Sequence, residues 1–373
     1  MEDIKMGDAK APYAALKSEL DDAFQLAMEN MANPDVPQVL KLAQTLQDYL
    51  QVRQVVPCSH GADALVLALQ TLQLPQQAEV ILPAFGDSFA AGAIKRLGLT
   101  PVFADVLPTT FTLDPVSVAK LITDKTVAIM PMHLFGQCAD MAQLLALAET
   151  QQLLLLEDTT QALGAVYRLP GGKEQRAGTM GHLAFASLLP TKPLACQDEG
   201  GAVIVNSQNL CDTFQIAELP WATAAVQFQK TTTDTKIANL QAAMVEVKLR
   251  YLDQFNQARQ EVAAVYDDLF KDTSLLQIPG HTPNSTLIYL QYTIKVPATL
   301  RDKLKQHLQD NYIPSAVYYP EPLHLQDGQT PGSLPVAEEL AKTVLSLPLH
   351  AGLTVEQQTY VAQQVLSFLE KNL

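Results

Sequence analysis

Between residues 52 and 206 the chain alternates between two hydrophobic patterns. Short runs rich in leucine or β-branched residues occur at 54–57, 79–82, 101–104, 127–132, 152–157, 183–187 and 202–206. Stretches with helical spacing of apolar positions separate several of them, as at 61–72, 89–97 and 141–150. Brief, continuous apolar runs between amphipathic helices mark strands buried on both faces. The pattern therefore predicts an α/β architecture, a mostly parallel seven-stranded sheet covered by helices. Beyond residue 206 it changes. Leu240, Met244, Val247, Leu252 and Phe255 recur at near-helical spacing within one long predicted helix over 236–270. A loop at 279–285, a strand over 286–296, a helix over 298–311, a short strand at 316–318 and helices over 336–345 and 354–371 complete the chain. We read a large domain over 1–245 and a small α+β domain over 246–373.

Composition narrows the function more than the fold. Hydrophobic residues make up 48% and charged residues 17% of the 373 residues, a globular composition. Acidic residues outnumber basic ones 39 to 25, and no Lys/Arg cluster interrupts the excess, so no nucleic-acid partner is expected. No apolar run reaches the length of a membrane span, and MEDIKMGDAK has mixed charge without an apolar core, so neither a membrane partner nor a signal peptide is expected. The four cysteines lack CxxC spacing and the seven histidines lack HxH or HxxxH pairs. Free thiols in a reducing cytoplasm and no metal site follow.

Three local features carry chemistry. QLLLLEDTTQ places Glu157 and Asp158 at the carboxyl end of an apolar run, where open α/β sheets gather ligands. Such an acid either meets a cation or caps the next turn. Lys192 lies between Thr191 and Pro193 in an apolar stretch before Gly200–Gly201. An amine there is either a nucleophile toward carbonyls or a solvated loop residue. SHGADALVLAL joins a strand to a helix through Gly61, a geometry that offers backbone N–H groups to an anion or simply connects two elements. A phosphate cradle, an acid and a later lysine together suggest pyridoxal phosphate, the lysine holding the aldehyde and the acid facing the ring nitrogen.

Longer segments carry a resemblance. SHGADALVLAL, ILPAFGDSFAAGAIKRLGLTPVFADV, MPMHLFGQCADM, LLEDTTQALGA, FASLLPTKPLACQDEGGAVIVN, IANLQAAMVEVKLRYLDQF, VYYPEPLHLQ and LSLPLHAGLT occur in the order and spacing of the DegT/StrS sugar aminotransferases. From about Tyr13 onward the chain resembles this family, whose members are pyridoxal-phosphate enzymes of fold type I. The resemblance implies Lys192 as the Schiff-base lysine and Asp158 as the ring-nitrogen partner. It implies Gln161 near the ring, Ser187 and the Gly61–Ala62 amides at the phosphate, and His133 in a structural or a catalytic role. Asp63 is read as a helix cap.

Departures accompany these matches. Ala62 stands where the family has threonine, and Pro193 where asparagine commonly follows the lysine. Asp87 replaces an aromatic that stacks on the ring, leaving Phe85 and Phe89 beside it; we take Phe85 as the aromatic at the cofactor. Asp234-Thr-Lys236-Ile237 replaces the Asn-x-Arg-Met that a neighbouring subunit offers to the phosphate, with Lys236 as the compensating cation. The implied activity is amino transfer from an amino acid, glutamate in this family, to a nucleotide-linked ketosugar, with pyridoxamine phosphate between the half-reactions. Proline two residues before the lysine resembles members that aminate C3. A sugar dehydratase of the same fold would carry histidine in place of Lys192, and a regulatory, non-catalytic member is the other alternative. A homodimer with shared active sites is implied, and the apolar run AELPWATAAVQF around Trp221 suits its interface.

Overall fold

In a computed structural model, residues 4–8, 10–29, 38–211, 237–328 and 333–372 are described. Trp221, Asp234 and Lys236 lie outside them. Helices α1 (Lys10–Ala15), α2 (Lys17–Glu29) and α3 (Gln38–Leu50) precede strand β1 (Gln54–Cys58). Then follow α4 (Gly61–Thr71), β2 (Glu79–Pro83), α5 (Phe89–Arg96), β3 (Thr100–Ala104), α6 (Pro115–Leu121), β4 (Thr126–Ile129), α7 (Met141–Gln151) and β5 (Leu154–Asp158). A hairpin of β6 (Val166–Arg168) and β7 (Glu174–Arg176) leads into β8 (Leu183–Ser187), β9 (Gly201–Val205) and α8 (Gln208–Cys211). The carboxyl part comprises α9 (Asn239–Leu249), α10 (Leu252–Phe270), β10 (Tyr292–Lys295), α11 (Ala298–Asp310), α12 (Leu323–Gln326), α13 (Pro335–Thr343), β11 (Val344–Leu347) and α14 (Val355–Asn372).

Seven strands form one sheet in the order β1-β9-β8-β5-β4-β2-β3. Only β9 runs antiparallel to its neighbours; the rest of the sheet is parallel. The expected α/β architecture is the one observed. Register brings Cys58 and Ser187 level with Gly201 from either side, and Asp158 level with Phe185. The ends of β1, β5 and β8 therefore meet along one edge.

Apolar cores lie on both faces of this sheet. Leu65, Leu82, Phe85 and Phe185 centre one, and Leu42, Leu46, Val245 and Leu252 belong to another. A separate core joins Tyr266, Tyr292, Leu304, Leu345, Val361 and Leu369 from the carboxyl elements, and Ile4 packs against it. Leu334, Ala337 and Leu340 of the α13 region pack instead into the Leu65–Phe185 core. Asp105, just beyond β3, reinforces that contact by accepting the Val336 and Ala337 amides at 3.0 and 2.8 Å. It thereby caps α13 from a distant part of the chain.

Three expected elements differ. The long helix breaks at Arg250–Tyr251, where the Tyr251 amide turns back to the Lys248 carbonyl at 3.1 Å. No proline or glycine marks the break; α9 packs on α2 and α3, while α10 continues into the carboxyl core, so tertiary packing sets it. The strand expected over 286–296 shortens to β10 because Tyr289 takes a left-handed φ of 50°. Residues before it still bond as extended chain, Ile288 to the Gly136 carbonyl and Thr286 to that of Val166. The helix expected over 336–345 ends at Thr343, and Val344–Leu347 pairs antiparallel with β10.

Candidate active site

The site lies at the sheet edge where β1, β5 and β8 end. Alternation along β5 sends its two terminal acids in opposite directions. Glu157 is fully buried and accepts the Gly178 and Met180 amides at 2.8 and 2.7 Å, the Gly181 amide, and His133 Nε2 at 2.8 Å. His133 Nδ1 accepts the Ala139 amide at 3.1 Å, which assigns the ring proton to Nε2, donated to Glu157. With no accessible surface, this pair is a structural clasp and closes the two roles left open for His133.

Asp158 faces the other way. Its backbone is clamped between the Pro131 carbonyl and the His133 amide, both at 2.9 Å, and Oδ1 accepts the Thr160 amide at 3.0 Å. Burial raises its carboxyl above the ordinary aspartate range, while the Thr160 hydrogen bonds and the Lys192 charge pull it back. A carboxylate so placed gains from a cation brought to it. Lys192, half-buried, sits within electrostatic reach on the loop between β8 and β9. The loop is tied down at several points. Leu188 bonds to the Gly200 carbonyl at 2.8 Å, Cys196 to the Leu188 carbonyl at 2.6 Å, and Lys192 to the Leu189 carbonyl at 2.9 Å. From α9, Lys248 Nζ donates to the Ala195 carbonyl at 2.7 Å, and Gln241 accepts the Gln197 amide at 2.9 Å.

Opposite lies a cradle of small groups. A Cβ on Gly61 would stand 2.4 Å from Ser187 Cβ, and one on Gly201 would stand 2.4 Å from the His60 carbonyl oxygen. Glycine at both positions lets the start of α4 close on the end of β8. His60 caps α4 without a side-chain hydrogen bond, so the first turn at Gly61 and exposed Ala62 is a helix start of the kind that suits an anion. Asp63 does not cap that helix with its carboxylate; it accepts Ser59 Oγ at 3.0 Å and pairs with His60 Nδ1 at 2.9 Å. Thr160 Oγ1 accepts the Ser187 amide at 3.1 Å, tying the cradle to the Asp158 turn.

Gln161 is buried, accepting the Phe135 amide at 3.1 Å and donating to the Tyr319 hydroxyl at 2.9 Å. Phe85, expected at the cofactor, is fully buried and meets Phe111 and Tyr319 edge-on with centroids 6.4 and 5.7 Å away. It has no face to offer a ligand and instead walls Tyr319. Phe89 is turned to Phe185, edge-on at 5.9 Å. Lys236 is outside the described residues. Tyr319 and Thr160 are the members that sequence reasoning left unassigned; the pointer to Tyr319 was the segment VYYPEPLHLQ. Among the described residues no group of three His, Cys, Asp or Glu could hold a metal ion, and no helix is long and apolar enough to cross a membrane.

The arrangement fits pyridoxal phosphate on its own terms: a cradle that a single Cβ would fill, a buried acid to face a ring nitrogen, and an amine within electrostatic reach of that acid. Residues 15–366 match the DegT/DnrJ/EryC1/StrS aminotransferase family. The chain belongs to that family. A pleiotropic regulatory protein of Geobacillus stearothermophilus is 34% identical, covering 98% of each chain. The UDP-2-acetamido-2-deoxy-3-oxo-D-glucuronate aminotransferase of Pseudomonas aeruginosa is 31% identical over 93% of this chain and 95% of its own. Among solved structures, S. venezuelae DesV in complex with a ketimine intermediate superposes with a TM-score of 0.90 at 30% identity, covering 99% of both chains. That solved structure shares the overall fold over nearly the whole of both chains.

Proposed function

We propose that this sugar aminotransferase moves an amino group from glutamate to C3 of a nucleotide-linked ketosugar. The observation that carries the reading is the convergence of Lys192, Asp158 and the Gly61–Ser187 cradle at one sheet edge. Bound pyridoxal phosphate supplies a carbonyl for the incoming amine and a ring that withdraws electrons. The protein's residues do the rest. The α4 amides and Ser187 hold the phosphate, with Lys236 as a further cation. Asp158 keeps a proton on the ring nitrogen, the role that its burial beside few donors suits. Gln161, fixed by Phe135 and Tyr319, orients the ring from its side. Lys192 Nζ anchors the aldehyde and, once displaced, takes the proton from the donor's Cα and later returns one to the sugar carbon.

The 3-oxo sugar in the Pseudomonas relative's name supports C3, as does proline before the lysine. Exposed Phe24, Leu26 and Met28 on α2 support a dimer, in which a second subunit would complete the phosphate site. Buried Cys58 and Cys196, whose thiols burial pushes up to about 12, suit a reducing cytoplasm. A second reading, regulation without turnover, is favoured by Ala62 and Asp87 and by the name of the Geobacillus relative. A panel of dTDP- and UDP-ketosugars with glutamate separates the two. Amination of a 3-keto substrate supports the first reading, and cofactor binding with no turnover across the panel supports the second.

A further inference from the structure

The cavity beside Asp158 holds a second carboxylate that the proposed chemistry does not use. Asp87, between β2 and α5, lines it together with Leu82, Met130, Met132 and Leu323. One oxygen of Asp87 accepts the Phe89 amide at 3.1 Å, which fixes the side chain at the start of α5. Both acids act on the buried Tyr319 hydroxyl: after burial, the Asp87 charge and then that of Asp158 hold it above the ordinary tyrosine range. The cavity walls are apolar apart from these two acids. A protonated ring nitrogen answers Asp158. Asp87 remains as a negative charge in a weakly polar wall, where a unit charge on the ligand counts for more than in water.

We propose that Asp87 makes the site select the aminated cofactor, pyridoxamine phosphate, over the aldehyde. The inference rests on the functional reading above. The two forms differ at one carbon: the aldehyde is uncharged, whereas the amine is an ammonium at neutral pH. A half-buried carboxylate facing the same cavity lowers the free energy of the ammonium form alone. The site then rests loaded with nitrogen, ready for the ketosugar. An aromatic at position 87 would offer a ring face to both forms and distinguish them less.

Equilibrium dialysis of the full chain against each form tests this. Lys192→Ala removes covalent capture of the aldehyde, so both forms are compared as non-covalent ligands. In that background pyridoxamine phosphate should bind about tenfold tighter than pyridoxal phosphate, equivalent to about 1.4 kcal/mol. Asp87→Asn keeps an acceptor for the Phe89 amide and should bring the ratio near one, whereas Asp87→Glu should retain the preference. A ratio unchanged by Asp87→Asn overturns the inference and leaves the functional reading standing. Binding of neither form, with Lys192 intact or replaced, overturns both.

Discussion

Replacing Gly61 by alanine probes the cradle directly. The new Cβ would lie 2.4 Å from Ser187 Cβ and 2.8 Å from its Cα and Oγ. Carbon atoms in contact sit about 3.5–4.0 Å apart, so the two groups must separate by about 1 Å or more. Neither side yields alone. Ser187 ends a strand paired with β5 and β9, and its amide is bonded to Thr160. Gly61 opens a helix whose Ala64, Leu65 and Ala68 are fully buried. Helix and strand must share the shift, an overpacking that costs about 1–3 kcal/mol. At about 2–4 °C per kcal/mol for large domains, cofactor-free Gly61→Ala should melt roughly 2–12 °C lower. A shift of about 1 Å in groups that position a reactant costs on the order of 100-fold in rate, so transamination should fall by about that factor. Ser187→Gly in the same chain removes the contacts to Cβ and Oγ but leaves the 2.8 Å contact to Cα, so recovery should be partial. Thermal unfolding and cofactor titration read these effects. An alanine variant with wild-type melting temperature and affinity would refute the close approach of α4 to β8.

Other expectations follow from the same geometry. Burial holds the Asp158 carboxyl above the value of about 3.9 it has in an unfolded chain. The folded state therefore prefers the protonated acid, and stability falls as pH rises from that unfolded value through the raised one. Asp158→Asn should stabilise the cofactor-free protein at neutral pH, with the gain vanishing below about pH 4, while slowing both half-reactions. Melts over pH 3–8 check this, and a variant less stable than wild type at neutral pH would contradict it. Asp105→Ala strips the acceptor from the Val336 and Ala337 amides and should cost about 1–3 kcal/mol, with faster hydrogen exchange in the first turn of α13. Unchanged exchange there would show that α13 is held by its apolar face alone.

The seven strands and the residues at their ends were readable because buried parallel strands are short, continuous and apolar. What sequence could not supply came from tertiary packing. Glu157 and Asp158 look equivalent as neighbours in a line of letters; only strand alternation separates a saturated clasp from a site acid. Phe85 looked like a ring partner by its nearness to position 87, yet the turn after β2 directs it into the core against Phe111 and Tyr319. Tyr319 reaches Gln161 across 158 residues, a contact that no local spacing encodes. The hairpin of β6 and β7 has no legible pattern because its strands are three residues each and only Tyr167 among them is buried. The start of β11 reads as a continuation of α13, since Leu340, Ala341, Val344 and Leu345 keep helical spacing; its strand character comes from pairing with β10.

Everything proposed for the site turns on Lys192 being the amine that bonds the cofactor. Treating the full chain with pyridoxal phosphate, reducing with borohydride and mapping the peptides by mass spectrometry tests it most directly. A pyridoxyl label is expected on Lys192 in the peptide containing LLPTKPLACQDEGG, lost in Lys192→Ala with the fold intact. A stoichiometric label on Lys248, the half-buried amine bonded to the same loop, or on any other lysine, would contradict it.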